Sequence, residues 1–578
     1  MFIGQMTKNR QKWYIYAKRA DFYGIGSRFG IDPVAVRVLV NRGICTEEEI
    51  DAFLNPDISK LNEPFLLPDM KKAADLLAGK IRAGKKIRIA GDYDADGVCA
   101  VYILYDAMRL LGADCSYVIP DRIKDGYGLN MSMITKAISD GIDTIVTCDN
   151  GISAFEELAA AKNAGLTVIV TDHHAIRKGP SGKEELPPAD CVINAGREDS
   201  AYPEKNICGA VTAWKLVQAL FTRTGRRTDE YLKYLEFAAI ATVCDCMPLK
   251  GENRIITGEG LKILSSGGEN AGIRALIEAA GLSGKKIGYF HTGFVIGPCI
   301  NAGGRMESAD RAMELFLSGS PGEAMTKAAY LINLNDSRKD LTIRGTEMAC
   351  EAVRQKTPDT KVLVVCLDDL HESLAGIVAG RLKETYGKPA IVFTRSEAEG
   401  ILKGSGRSIE KYDMFAGLSR CSGLLVKFGG HPMAAGLSIR AEDLPELEAR
   451  LNEEAGLSEE DLNVKVWIDS EVPLSYLSEK LVTDLDRLEP FGEGNEKPLF
   501  AAREVHPANL RVMGKNRNAL KMDLYTKEGF TIPGIMFGEA DRLKEELSQK
   551  PYVNILYYPV INEWQGYRNL NVQIEDYL

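Results

Sequence analysis

Apolar and polar positions along this chain change their rhythm four times. Between 85 and about 195, short β-branched apolar runs at 86–90, 114–119, 144–147, 167–170 and 191–193 alternate with stretches of helical period. Strands that alternate with helices predict a parallel, doubly wound α/β sheet. From 250 to 355 strand signals stop, and 258–264, 273–280 and the long 322–354 repeat at helical spacing. The alternation returns at 360–455, with strands at 361–366 and 390–394 and a helix at 373–384. Beyond about 460 the period is that of strands, at 464–468, 520–524, 531–537 and 553–558. Ahead of all this, 1–84 carries Trp13, Tyr14 and Tyr16 and helical patterns over 32–41, 46–53 and 69–83. Thr46-Glu-Glu-Glu49 opens the second of these as a capping box.

The chain thus divides into an N-terminal helical lead-in (1–84), an α/β domain (85–249), a helical connector (250–355), a second α/β domain (356–458) and a β domain (459–578). Its 578 residues suit several domains of ~150 residues each. Charges interrupt every apolar run well short of the ~20 residues a membrane span needs, and 1–10 is polar, without a signal-peptide core. Twelve cysteines with no Cys-x-x-Cys pair suggest neither a disulfide scaffold nor structural zinc, so a reduced cytoplasm is the expected home. A net charge of −10 argues against a chain that coats nucleic acid indiscriminately, while leaving room for a local basic groove.

Candidate chemistry gathers at the ends of the first domain's strands. Asp92-Tyr-Asp-Ala-Asp-Gly97 falls between an apolar strand and an apolar helix, so its carboxylates are expected on a turn. Acids at this density repel one another unless a cation holds them, and hard oxygens suit Mn²⁺ or Mg²⁺ better than zinc. A calcium loop of EF-hand type is disfavoured, because its twelfth position is Ile103 instead of Glu and a strand precedes it. Two further strands end in Asp149-Asn-Gly151 and Asp172-His-His174, and Asp245 follows another apolar segment. In a parallel sheet such ends share one edge. The adjacent histidines point apart, so one is free to ligate while the other faces substrate.

These four motifs, in this order and spacing, resemble the DHH phosphoesterase superfamily, and the wider pattern resembles its single-stranded-DNA-specific exonucleases. Arg122-Ile-Lys-Asp-Gly-Tyr-Gly-Leu129, Gly297-Pro-Cys-Ile-Asn-Ala-Gly-Gly-Arg-Met306, His371-Glu with Gly376-Ile-Val-Ala-Gly-Arg381, Gly404-Ser-Gly-Arg-Ser408, Gly429-Gly-His-Pro-Met-Ala-Ala-Gly436 and Leu488-Glu-Pro-Phe-Gly-Glu-Gly-Asn495 carry that likeness. Two departures stand out: Cys299 where such chains usually carry Arg, and Cys244 and Cys246 where small aliphatic residues flank the acid. Buried hydrophobe is the simplest reading of both flanking cysteines.

The resemblance implies a DHH-type sheet domain, a helical spacer, a DHHA1-type second domain and a C-terminal OB-fold barrel. It implies processive 5′ to 3′ hydrolysis of single-stranded DNA in repair and recombination, with two Mn²⁺ or Mg²⁺ ions bridged by Asp149. Asp92, Asp94, Asp96, His173 and Asp245 are the other expected ligands; Asp172 orients a histidine, and His174 faces the scissile phosphate. Asn301 and Arg305, read as part of a glycine-rich loop, together with His371, Ser405, Arg407 and His431, are the expected substrate contacts. The 403–408 stretch has the composition of a phosphate-cradling loop. In the barrel Arg511, Lys515 and Arg517 occupy a stretch, 506–522, without an acidic residue. A helicase and a single-strand-binding protein are the implied partners, with no membrane. The same motifs also admit a phosphodiesterase for oligoribonucleotides or cyclic dinucleotides, a nuclease-dead scaffold or a manganese pyrophosphatase. The long spacer and C-terminal β domain weigh against the first, the intact motif acids against the second, and the loop-rich, multi-domain layout against the third.

Overall fold

The computed structural model describes residues 11–227, 229–357, 359–564 and 567–578; the polar segment 1–10 lies outside them. The first sheet has five parallel strands in the order Cys115–Val118, Ile87–Ala90, Thr144–Cys148, Thr167–Thr171, Cys191–Ile193. Alternate side chains feed two separate cores, as a doubly wound sheet requires. Ile87, Ile89, Val146, Cys148 and Ile169 pack on one layer of helices, and Ala90, Ile145, Val168 and Val170 on the other. In chain order the strands run 2-1-3-4-5, so the winding reverses between Ile87–Ala90 and Thr144–Cys148. Connections leave these two strands on opposite faces, which opens a crevice at their carboxyl ends.

The 250–355 region is helical as expected, but much of it is core and not spacer. Ile256, Leu264, Ile273, Leu276, Ala312 and Phe316 belong to the same hydrophobic cluster as the first sheet. The helix Pro321–Arg354 does link the domains: 34 residues, about 51 Å at 1.5 Å per residue. Its early turns join the first core through Ala324, Ala328 and Leu331, and its last turns join the second through Ala349, Cys350 and Val353. The second sheet runs Leu425–His431, Ala434–Arg440, Ile401–Arg407, Ala390–Arg395, Leu363–Cys366, with only the last pair parallel.

The C-terminal domain closes into a barrel. Phe500–Met513, Ala519–Tyr525 and Thr531–Phe537 form a meander. Tyr567–Tyr577 then pairs parallel to the third strand, and Val553–Trp564 bridges it back to the first. The helix Ala540–Ser548 lies between the third and fourth strands and buries Ala540, Leu543 and Leu547 in the barrel core. That is OB-fold connectivity, in which closure removes sheet edges.

Two expectations are corrected here. The strand Val464–Ile468 is not part of the barrel; it pairs in parallel with Gln11–Ile15 in a separate ribbon. The lead-in is not one unit either. Pro33–Asn41 and Glu47–Leu54 share the barrel's core, whereas Met70–Arg82 packs on the first sheet. Arg42 fixes the first junction with a buried fork onto Asp469, Nη1 to Oδ1 at 2.6 Å and Nη2 to Oδ2 at 2.9 Å. Arg254, on the helix Gly251–Ser265, ties the first core to this barrel unit, donating to the carbonyl oxygens of Phe53 (2.9 Å), Leu488 (2.9 Å) and Glu489 (2.7 Å).

Candidate metal centre

The acids collect in the crevice between Ile87–Ala90 and Thr144–Cys148, and the turn that was expected to hold three of them holds two. Asp92 follows the first strand, and Asp94 caps the helix Ala95–Leu110, accepting from the amides of Asp96 and Gly97 at 3.0 Å each. Asp96 already belongs to that helix. Its carboxylate accepts from the amides of Gly209 and Ala210, both at 2.7 Å. Those amides begin the helix Gly209–Thr224, whose positive end favours an anion. Asp149 leaves the second strand at φ 62°, a strained conformation for a residue with a Cβ. Gly209 makes room for it, since a Cβ there would stand 2.5 Å from that of Asp149.

His173 completes the cluster. Its Nε2 lies 3.1 Å from Asp149 Oδ1, 3.6 Å from Asp245 Oδ2 and 3.7 Å from Asp96 Oδ2. Three ligand sets converge within 4.8 Å: Asp92, Asp94 and Asp149; Asp96, His173 and Asp245; Asp149, His173 and His174. Asp92 Oδ2, Asp149 Oδ1, His173 Nε2 and Asp245 Oδ2 are buried and have no hydrogen-bond partner. Burial, then Asp94, pushes the Asp92 carboxyl up to about 8; burial, then Asp96 and Asp94, does the same for Asp245. Burial and Asp96 also raise Asp149 well above the usual carboxylate range, while burial holds His173 below its ordinary value and so in its ligating, neutral form. Unpaired, mutually repelling oxygens with one neutral imidazole fit divalent cations, and the oxygen-rich set suits Mn²⁺ or Mg²⁺.

The second histidine faces a different way. His174 Nδ1 stands 2.8 Å from Asp172 Oδ1, and Asp172 also accepts from the amides of His173 (2.7 Å), His174 (3.1 Å) and Ile152 (2.9 Å). Burial works against a charged imidazole, but Asp172 outweighs it and His174 is pushed up to about 9. Tyr127 was not singled out from sequence, although it lies within the 122–129 motif. Its hydroxyl is 2.9 Å from His174 Nε2 and donates to the Asp149 carbonyl at 3.2 Å.

Cations gather beside this centre, where the first and second domains meet. A cleft of about 500 Å³ is lined by Arg122, Arg305, Lys403, Ser405, Arg407 and Lys427, among others. The 403–408 segment is not a loop: Ile401–Arg407 is a strand, and its period of two sets Lys403, Ser405 and Arg407 on one face over buried Leu402, Gly404 and Gly406. Nor is 297–306 a loop. Gly297–Met306 is a helix whose glycines serve packing; a Cβ on Gly304 would lie 2.5 Å from the Tyr93 carbonyl oxygen. Arg305, on that helix, reaches Ser373 O of the second domain at 3.1 Å, and Arg122 lies 3.9 Å over the Tyr93 ring. Burial lowers Arg305 to about 9 and lowers Arg407 as well. Among the described residues neither pairs with a carboxylate.

Other expected contacts fall elsewhere. Asn301 does not line the cleft; its Oδ1 accepts from the Ala95 amide at 2.8 Å and braces the acidic turn. His371 is outside the cleft lining, with Nδ1 2.8 Å from Ser373 Oγ. His431 is exposed and pairs across strands with Ala434, which in turn faces Arg407. Arg511, Lys515 and Arg517 are exposed on the first hairpin of the barrel, and Arg517 is engaged by Asp541. Cys299 is buried and accepts from Asn335 Nδ2 at 3.4 Å, so it faces the long helix. Cys246 is exposed, which corrects its reading as a buried hydrophobe.

A switch-point sheet carrying this acid and histidine cluster defines a metal-dependent phosphoesterase of the DHH class. The DHH family N-terminal domain matches residues 86–242, the DHHA1 domain 359–456 and the RecJ OB domain 468–576. A single-stranded-DNA-specific exonuclease RecJ of Bacillus subtilis is 35% identical over 577 residues, 99% of this chain and 71% of that protein. The Haemophilus influenzae RecJ is 34% identical over 95% of this chain and 97% of its own length. The crystal structure of RecJ in complex with Mn²⁺ from Thermus thermophilus superposes with a TM-score of 0.83 at 29% identity, covering 99% of this chain and 80% of that one. The chain belongs to the RecJ family.

Proposed function

We propose that this chain is a metal-dependent exonuclease that hydrolyses phosphodiester bonds of single-stranded DNA, working 5′ to 3′. The observation that carries this reading is the nearness of two unlike groups of side chains. Carboxylates and imidazoles form one, and the guanidinium groups of Arg122 and Arg305 from the first domain and Arg407 from the second form the other. Tyr93 joins them, flanked by Asp92 and Asp94 and covered by Arg122. Phosphates are the anions that such a basic group would take while presenting a phosphodiester to the acids.

Asp92, Asp94 and Asp149 on one side, and Asp96, His173 and Asp245 on the other, would hold two Mn²⁺ or Mg²⁺ ions with Asp149 shared. Bound there, such ions supply Lewis acidity and an activated water. Asp172 holds Nδ1 of His174, and Nε2, 2.9 Å from the Tyr127 hydroxyl, is the edge that would exchange that contact for a phosphate oxygen when substrate binds. Arg122, Arg305 and Arg407 hold phosphates in the cleft, with Ser405 beside them. The barrel supplies a second grip on the strand through Arg511 and Lys515. The match of the barrel as well as the two catalytic domains weighs against a phosphodiesterase for short oligonucleotides.

Among the described residues no helix is long and apolar enough to cross a membrane, which is compatible with a cytoplasmic site of action. The chain has no Gly-x-x-x-x-Gly-Lys-Ser/Thr loop, so a helicase and a single-strand-binding protein are the partner classes this reading calls for. The test digests end-labelled single strands of DNA and RNA with Mn²⁺ or Mg²⁺ and resolves the products by length. Stepwise shortening of DNA from its 5′ end is expected. Internal cuts, or products unaffected by chelation, would overturn the reading.

A further inference from the structure

The chain leading into the helix of Asn301 and Arg305 has a feature that neither the metal centre nor the basic cleft uses. Phe290 and Phe294 stack on each other, ring centroids 5.2 Å apart and planes 21° from parallel, yet are 64% and 60% exposed. Two large rings ordered against each other in water cover no core. The backbone beneath them is irregular: Thr292–Ile296 is a turn of π-helix, with the Gly297 amide donating to the Thr292 carbonyl. Such turns cost stability and gather where a protein needs a side chain aimed.

The position of the pair is fixed on both sides. Tyr289 touches Cys246, the residue after Asp245, and the ring of Tyr289 would lie 2.4 Å from a Cβ on Gly492 in the segment leading into the barrel. Tyr289, the residue before the stack, thus stands between the acid-bearing segment and the one leading into the barrel. Exposed Lys285 and Lys286 precede it, the latter paired with Glu489.

We propose that Phe290 and Phe294 form a stacking platform for a base of the single strand on its path between barrel and metal centre. Every base has a π-face, so rings beside lysines grip a strand without selecting sequence. This rests on the single-strand reading above, and the experiment keeps the two apart. Metal-free protein is titrated with fluorescent single strands bearing 2-aminopurine or an abasic residue at successive positions.

The expected result for wild type is quenching confined to one or two adjacent positions, and a loss of affinity of about tenfold, the scale of one stack, when that base is removed. In the Phe290→Leu/Phe294→Leu variant the quench vanishes and base removal no longer matters, because apolar volume remains but the rings do not. A Phe290→Tyr/Phe294→Tyr variant restores both. A wild type that binds no single strand refutes the single-strand reading itself. Tight binding with unchanged quenching in the leucine variant refutes only the platform, and would mark the rings as a contact for another protein.

Discussion

His174 Nδ1 stands 2.8 Å from Asp172 Oδ1, and this pair sets the charge of the imidazole nearest the expected phosphate. With its carboxylate partner His174 is pushed up to about 9, so it carries a proton through the neutral range. In Asp172→Asn the imidazole should return toward ~6.5. The pH profile of kcat/KM then loses its alkaline plateau: activity falls above ~6.5 instead of above about 9, and the deficit is larger at pH 8 than at pH 6. A variant profile parallel to wild type would remove His174 as the proton donor.

Among the described residues Asp149 is the acid that recurs in two of the ligand sets. Replacing it with Ala should cost more than the ~10–100-fold typical of residues behind a metal's ligands, with circular dichroism unchanged. Titration calorimetry should show fewer Mn²⁺ bound. Full stoichiometry in the variant would contradict a shared ligand.

The acids also make stability depend on pH when metal is removed. Asp92 and Asp245 titrate at about 8 in the folded chain against ~3.9 when unfolded. Between those values the native state holds protons that the unfolded state has lost, so stability falls as pH rises. His174, raised to about 9, adds to the fall above ~6.5. The Tm of chelated protein should drop from pH 5 to pH 8, and saturating Mn²⁺ should flatten that drop, adding about 2.7 kcal/mol at a hundred times Kd. A Tm that rises over this range without metal would contradict the clustered acids.

Much of the centre is legible in the chain because its residues sit at strand ends, where a parallel sheet must bring them together. Asp92, Asp149 and His173 follow from that rule alone. Glycine-rich segments misled, because glycine signals either a loop or a close approach. Gly297–Met306 and Ile401–Arg407 are regular elements whose glycines lie under Tyr93, Phe393 and Met414. The grip of Gly209 on Asp96 and the pairing of Gln11–Ile15 with Val464–Ile468 join residues far apart in the chain, and no local pattern announces them. The shared core of the barrel and residues 31–54 has a practical result: deleting the C-terminal domain would also strip that segment of its packing.

Point changes are therefore the way to test the barrel. Arg511→Ala with Lys515→Ala should flatten the salt dependence of single-strand binding, the slope of log K against log salt falling by about 0.7 for each phosphate no longer neutralised. Arg517→Ala should do less, since Asp541 already engages that side chain. An unchanged slope in the double variant would make the hairpin a solvated surface.

The central claim is that a strand is held between the acids of the first domain and a basic cleft that both domains line, in a space that B-DNA, whose major groove alone is ~12 Å wide, cannot thread. Opening a terminal pair would cost about 1.4 kcal/mol per step, with no motor in the chain to supply it. The most direct measurement compares initial rates on a free single strand, a duplex with a single-stranded 5′ tail and a blunt duplex, all with Mn²⁺ under one set of conditions. The account predicts rapid digestion of the free strand and the tail and little of the blunt duplex. Equal rates on blunt and free ends would contradict it.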